Sequence, residues 1–167
     1  MRVETHMAIK VGDRLPEAKF TVMTSEGPQT RTTEDMFKGR RVVLFGVPGA
    51  FTPTCDRNHL PGFVNKADEI LGKGIDEIAV TGVNDVFVMD AWAKQSGADG
   101  RITFLADGAA QFAKAIGLSL DLSERGLGMR SQRYSMLIDD GVVRKLSIED
   151  APGKAEVSGA EALLKVL

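Results

Sequence analysis

Apolar positions along this chain switch between two periods, and the switches mark its elements. Val42 to Val47 is a continuous β-branched and aromatic run, which predicts a central strand buried on both faces. Beyond it, Leu60, Phe63, Val64, Ala67, Ile70 and Leu71 follow the i, i+3, i+4, i+7 spacing of a helix with one buried stripe. That helix is expected to start near Pro53 and to end at Gly72 and Gly74. Pro61 should kink or break it, because proline lacks an N–H and clashes with the preceding turn. Ile75 to Val83 reads as a second strand, Val86 to Gln95 as a helix carrying Trp92, and Arg101 to Leu105 as a third strand. Ala109, Phe112, Ala113 and Ile116 form a further helical stripe, closed by Gly117.

The outer segments are punctuated by turn chemistry. Ser25-Glu26-Gly27-Pro28 suits the turn of a small N-terminal hairpin, and Thr33 to Met36 a single helical turn ahead of Gly39. Leu118 to Gly128 is loop-like, with a turn at Ser123-Glu124. Asp139-Asp140-Gly141 joins Tyr134–Ile138 to Val142–Ile148 as a hairpin. Ser158 and Glu161 match a capping box ahead of Ala162, Leu163 and Leu164. The order β-α-β-α-β-α-β-β-α predicts an α/β fold: parallel strands with right-handed crossovers, an antiparallel edge, and helices on both faces of a mixed sheet. In such sheets the working residues lie beyond the carboxyl ends of the strands.

Composition narrows the partners. The chain has 167 residues, 43% hydrophobic and 26% charged, which suits one globular domain. A net charge of −2 without a basic run argues against nucleic acid or an anionic membrane surface as partner. No apolar run is long enough to span a bilayer. Residues 1–7 lack the apolar core of a signal peptide and are set aside as a disordered, appended or upstream extension, leaving residues 8–167 as one domain. The single cysteine forbids an intramolecular disulfide, which points to a reducing compartment, with the cytoplasm as the default.

That cysteine is Cys55, just past the Val42–Val47 strand. Thr52 has the chemistry of an N-cap and Pro53 suits the first helical position, which makes Cys55 the third. Backbone N–H groups there lack helical partners and the helix dipole is positive, so the anionic thiolate is favoured. A lone cysteine is otherwise a small buried hydrophobe, but that role needs no Thr-Pro cap upstream. Arg130 and Arg133, ahead of Tyr134, are candidate cations or simply a solvated loop end. His59 shares the helix face of Cys55 and permits a Cys–His hydrolase reading. Pro61 disturbs that geometry and no third partner is evident, so packing or capping is the better role for His59. Cys55, His59 and His6 fall short of a structural zinc set, and Asn58 stands where a C-x-x-C redox pair would need its second cysteine.

Pro48-Gly49-Ala50-Phe51-Thr52-Pro53-Thr54-Cys55 resembles the Pro-x-x-x-Thr-x-x-Cys signature of the peroxiredoxins. His59-Leu60-Pro61-Gly62-Phe63, Val83-Asn84-Asp85 with Phe87-Val88-Met89, Phe104-Leu105-Ala106-Asp107-Gly108, and the run from Gly126 to Tyr134 are similar to the type II, or peroxiredoxin-5, subfamily. The likeness covers about Ala8 to Leu167. It implies a thioredoxin-like fold and reduction of hydrogen peroxide and organic hydroperoxides with no cofactor and no metal. Carried over by position, Cys55 is the peroxidatic cysteine, Thr52 the hydroxyl that hydrogen-bonds thiolate and peroxide, Pro48 the pocket shield and Arg133 the arginine beside the sulfur. Phe51, Arg130 and His59 are further candidate pocket residues, with Arg130 orienting its loop.

Type II relatives carry a second cysteine where this chain has Val80, or near the carboxyl end where it has Ala155-Glu156-Val157-Ser158. The resemblance therefore implies a one-cysteine variant, reset by an external thiol: glutathione with glutaredoxin first, thioredoxin second. A stoichiometric redox sensor using the same cysteine is the alternative. The subfamily also implies a homodimer through the active-site side, where exposed Phe51 and Pro48 would fit.

Overall fold

The computed structural model describes residues 8–98 and 100–167; the proposed extension over residues 1–7 lies outside them. A seven-stranded mixed sheet runs in the order β2-β1-β5-β4-β3-β8-β9. Its centre is β3 (Arg41–Val47), flanked in parallel by β4 (Glu77–Gly82) and antiparallel by β8 (Tyr134–Asp139). Beyond β4 lies parallel β5 (Thr103–Ala106), and beyond β8 its hairpin partner β9 (Val142–Ile148). The N-terminal hairpin of β1 (Lys19–Thr24) and β2 (Gly27–Thr32) closes the far edge, touching β5 through Thr21 and Ala106.

The uninterrupted apolar run of β3 is explained by cores on both of its faces. Val43, Phe45 and Val47 point into one, covered by α2 (Leu60–Leu71), α3 (Val86–Gln95) and α5 (Ala160–Leu164). Val42 and Leu44 point into the other, with Met36 and Phe37 of α1 (Thr33–Phe37) and Phe112 of α4 (Gln111–Ala115). Helices thus lie on both faces, as the alternation of strands and helices predicts.

Three local expectations need correction. Pro61 neither breaks nor sharply ends its helix. The chain is helical from Pro53, widens into a π-helical turn over Cys55–His59, and continues as α2 with Pro61 in its first turn. The Leu60 N–H reaches back to the Cys55 carbonyl, and the wide turn absorbs the missing proline donor. Leu118 to Gly128 is not a loop: β6 (Ser119–Leu122), a 3-10 turn at Ser123–Arg125 and β7 (Gly128–Ser131) make a separate two-stranded sheet. Ser158 does not cap α5, whose N-cap is Gly159 without a side-chain bond; the Ser158 side chain is committed to Glu149. A true capping box stands instead at Thr32 and Asp35, opening α1.

Gly46 has a packing reason for being glycine. It faces Tyr134 across the β3–β8 pair, and a Cβ at Gly46 would overlap the Cε1 and Cζ atoms of the tyrosine ring. Gly46→Ala should therefore displace a fully buried ring and destabilise the domain by about 2 kcal/mol. The expected observation is a lower urea midpoint with an unchanged m-value; an unchanged midpoint would contradict this packing.

Candidate active site

The carboxyl end of β3 runs into Pro48, Gly49 and Ala50, all buried, and then turns sharply at Phe51. Phe51 holds φ +64°, a conformation unusual for an aromatic residue and one that needs external support. Asn84, beyond β4, supplies some of it: its Oδ1 accepts the Ala50 N–H at 2.8 Å. The Phe51 ring lies 6.4 Å from Trp92 of α3, and Trp92 Nε1 donates to Asp56 Oδ1 at 2.9 Å. The turn and the helix it feeds are thus tied to α3.

Thr52 begins that helix through its backbone, since its carbonyl accepts the Asp56 N–H at 2.9 Å. This puts Cys55 at the third helical position, as the Thr-Pro pattern implies. The threonine side chain behaves otherwise than expected of an N-cap. Its hydroxyl donates to the Gly49 carbonyl at 2.7 Å, so its proton is committed away from the sulfur and its lone pairs stay available to an incoming O–H.

Cys55 is fully buried, and Arg133 reaches it from the loop just before β8. Arg133 Nη2 donates to Cys55 Sγ at 3.0 Å. A guanidinium can only donate, so the sulfur accepts, and such a bond is strongest to an anionic acceptor. Arg133 is itself only 2% exposed. Its Nε and Nη2 donate to the Pro152 carbonyl at 3.0 and 2.9 Å, and Nη1 donates to His59 Nδ1 at 2.9 Å. No ion pair to Arg133 is found among the described residues. Among the described residues the sulfur is therefore the one contact of this buried cation that can carry a full negative charge.

His59 is the hinge of this arrangement. Because Nδ1 accepts from Arg133, the ring proton sits on Nε2, which donates to the Ser158 carbonyl at 2.9 Å. Burial lowers its pKa to about 3, the charge of Arg133 adds to the effect, and the Ser158 bond opposes it. Both ring nitrogens are committed away from Cys55, which removes the Cys–His hydrolase reading. His59 is neither a simple packing residue nor a cap. Nothing in the sequence spacing joins it to Arg133, because the two lie 74 positions apart.

The remaining candidates separate by distance. Pro48 is buried rather than exposed and lies directly after β3, ahead of the turn that leads to the cysteine. Arg130 does not reach the sulfur: its Nε donates to Leu127 O at 2.8 Å and its Nη1 to Val83 O at 3.3 Å, fixing the β7 strand beside Gly49. Val80 is fully buried in β4, within the same core cluster as Cys55. No group of side chains suited to holding a metal ion occurs among the described residues.

The family model for redoxin matches residues 10–164. Peroxiredoxin-2C of Oryza sativa subsp. japonica is 47% identical over 160 residues, covering 95% of this chain and 98% of that one. Reduced Prx3 of Vibrio vulnificus, solved in complex with hydrogen peroxide, superposes with a TM-score of 0.90 at 49% identity, covering 95% of this chain and 98% of that one. Peroxiredoxin 5 of Alvinella pompejana gives a TM-score of 0.83 at 36% identity, covering 94% and 96%. The chain belongs to the peroxiredoxins, as a type II, peroxiredoxin-5-like member with a single cysteine and a thioredoxin-like fold. It is a thiol-dependent peroxidase, and these relatives do not favour the stoichiometric-sensor alternative. Related proteins carry chloroplastic and mitochondrial names, so family membership alone assigns no compartment.

The buried neutral His59 makes stability depend on pH with a definite sign. Its folded pKa of about 3 lies below the ordinary 6.5, so the unfolded chain binds a proton there first as pH falls. Stability from this group is complete above about pH 6.5 and is lost on acidification toward about pH 3, by about 1.4 kcal/mol per unit inside the window. Urea midpoints measured at about pH 7 and pH 5 should show this fall in the wild type and a flatter profile in His59→Asn. Equal slopes would mean that His59 does not stay neutral in the folded protein.

Proposed function

We propose that Cys55 is the peroxidatic nucleophile, with Arg133, Thr52 and Pro48 as its site partners. The 3.0 Å bond from Arg133 Nη2 to Cys55 Sγ carries this reading. The thiolate sulfur attacks one peroxide oxygen, and the O–O bond breaks. The other oxygen leaves as hydroxide or alkoxide and takes up the proton that Cys55 lost on ionising. The products are Cys55 sulfenic acid and water or an alcohol. Negative charge spreads from sulfur over both oxygens in the transition state, so a fixed cation that never gives up its proton helps most there. The lone pairs of Thr52 accept from the peroxide O–H, and Pro48 with Phe51 walls the approach.

A chain with one cysteine, and with Val80 packed into β4, has no sulfur of its own to resolve the sulfenic acid. The reductant is an external thiol, which condenses with the sulfenic acid, releases water and leaves a mixed disulfide for a second thiol to reduce. Glutathione with glutaredoxin is the first choice and thioredoxin the second. A reducing compartment, the cytoplasm by default, suits the lone free thiol.

The protein acts as a homodimer through its active-site side. Phe51 and Phe87 support this, at 40% and 65% exposure on segments beyond the carboxyl ends of β3 and β4, together with exposed Met129 of β7. Sedimentation at micromolar concentration should give twice the chain mass; a monomer there would contradict the dimer.

Steady-state peroxide consumption should vanish in Cys55→Ser and fall by roughly 10²- to 10³-fold in Arg133→Ala, the usual cost of losing one preorganised charge-stabilising donor. Both variants should keep the native circular dichroism. An Arg133→Ala enzyme within a factor of about three of wild type would overturn the assigned role. Turnover with glutathione and glutaredoxin should exceed turnover with thioredoxin, and the reverse order would reassign the reductant.

A further inference from the structure

Arg133 and His59 are both aimed by carbonyl oxygens on one loop. Pro152 O takes two guanidinium N–H groups, and Ser158 O takes the imidazole Nε2–H. Asp150, Gly153, Lys154, Glu156 and Val157 of that loop are exposed, so little apolar packing fixes it. Its two ends behave differently. Glu149 is 7% exposed and Ser158 is fully buried. Glu149 Oε2 accepts the Ser158 N–H at 2.7 Å and the Ser158 Oγ–H at 2.6 Å, closing the loop across nine positions.

Glu149 is also joined to the site through its backbone. It follows the last residue of β9, and its N–H donates to the Arg133 carbonyl at 2.9 Å. A buried acid is ordinarily paired with a cation, yet no ion pair to Glu149 is found among the described residues. What it holds is a loop end. Ordering exposed chain carries a large entropic cost, and bonds to a carboxylate are roughly twice as strong as neutral ones.

We propose that Glu149 is a positioning residue for peroxide reduction: its side chain clasps Ser158 and so fixes two carbonyls, of Pro152 and Ser158, that aim Arg133 at the sulfur, the first directly and the second through His59. The chain of contacts runs Glu149–Ser158–His59–Arg133–Cys55, with Pro152 as a second arm onto Arg133. The proposal rests on the role given to Arg133 above. A guanidinium displaced by a fraction of an ångström still holds its charge near the sulfur but no longer meets the separating oxygens in line.

The test follows the oxidation rate of the prereduced protein by hydrogen peroxide, read by the fluorescence of Trp92, in single and double variants. Glu149→Ala should slow oxidation by about tenfold. Glu149→Gln, whose amide oxygen still accepts both bonds, should stay within about threefold of wild type. Added to Arg133→Ala, Glu149→Ala should cost less than about twofold more, because a clasp acting through Arg133 has nothing left to position. A purely structural role would slow both backgrounds equally, and that result overturns the proposal. So does a Glu149→Ala protein as fast as wild type, or a Glu149→Gln protein as slow as Glu149→Ala. If Glu149→Ala does not fold, Ser158→Ala replaces it: losing one bond of the clasp should slow oxidation by about threefold, and a wild-type rate overturns the proposal. An Arg133→Ala protein as fast as wild type would instead remove the role of Arg133, leaving the Glu149 contacts without a catalytic consequence.

Discussion

A guanidinium taken out of water is costly unless its donors are met and its charge is answered. Four of the five Arg133 N–H groups have partners: Pro152 takes two, His59 one and the Cys55 sulfur one, and the sulfur is the contact among these able to answer the charge. Much of the architecture around the site follows from keeping this cation in place. Strand β8 starts immediately after Arg133, and its first residue packs over Gly46 of β3, the strand that leads to the cysteine turn. Cation and thiol therefore hang from neighbouring, hydrogen-bonded strands of one sheet, Arg133 immediately before β8 and Cys55 in the helix that follows β3.

The helix start and the arginine supply different things to the sulfur. Pro53 and the Thr52 carbonyl put Cys55 at the positive end of a helix, a general device for activating a thiol. Arg133 adds direction, because its fork is planar and fixed by three other bonds. The neutral state of His59 is part of the same device. A charged imidazole would face the guanidinium across 2.9 Å and could not accept its N–H. The low pKa follows first from burial and then from the charge of Arg133, its neighbour in the contact chain.

Much of this was legible in the residues. The buried run Val42–Val47, the Thr-Pro helix start and the Asp139-Asp140-Gly141 turn each follow from local chemistry, and each is found. The preference for Arg133 over Arg130 came from the family register, since both precede a strand and local pattern treats them alike. Other features were hidden for physical reasons. Whether Pro61 breaks a helix or is absorbed by a wide turn depends on packing around Cys55–His59. Ser158 and Glu161 have the spacing of a capping box, but a buried acid nine positions upstream claims the serine first. The strands β6 and β7 are short and mostly half-exposed, so no apolar period announces them. The roles of Glu149, Pro152 and His59 rest on backbone carbonyls and contacts distant in sequence, which residue identity does not encode.

We propose that the geometry of the Arg133 fork, and not positive charge alone, prepares Cys55 for peroxide. The direct measurement is the second-order rate of Cys55 oxidation in Arg133→Lys, which keeps a cation but loses the planar donors. The expected result is a fall of about a hundredfold or more with the fold intact. A lysine variant that reacts with peroxide at nearly the wild-type rate would contradict it.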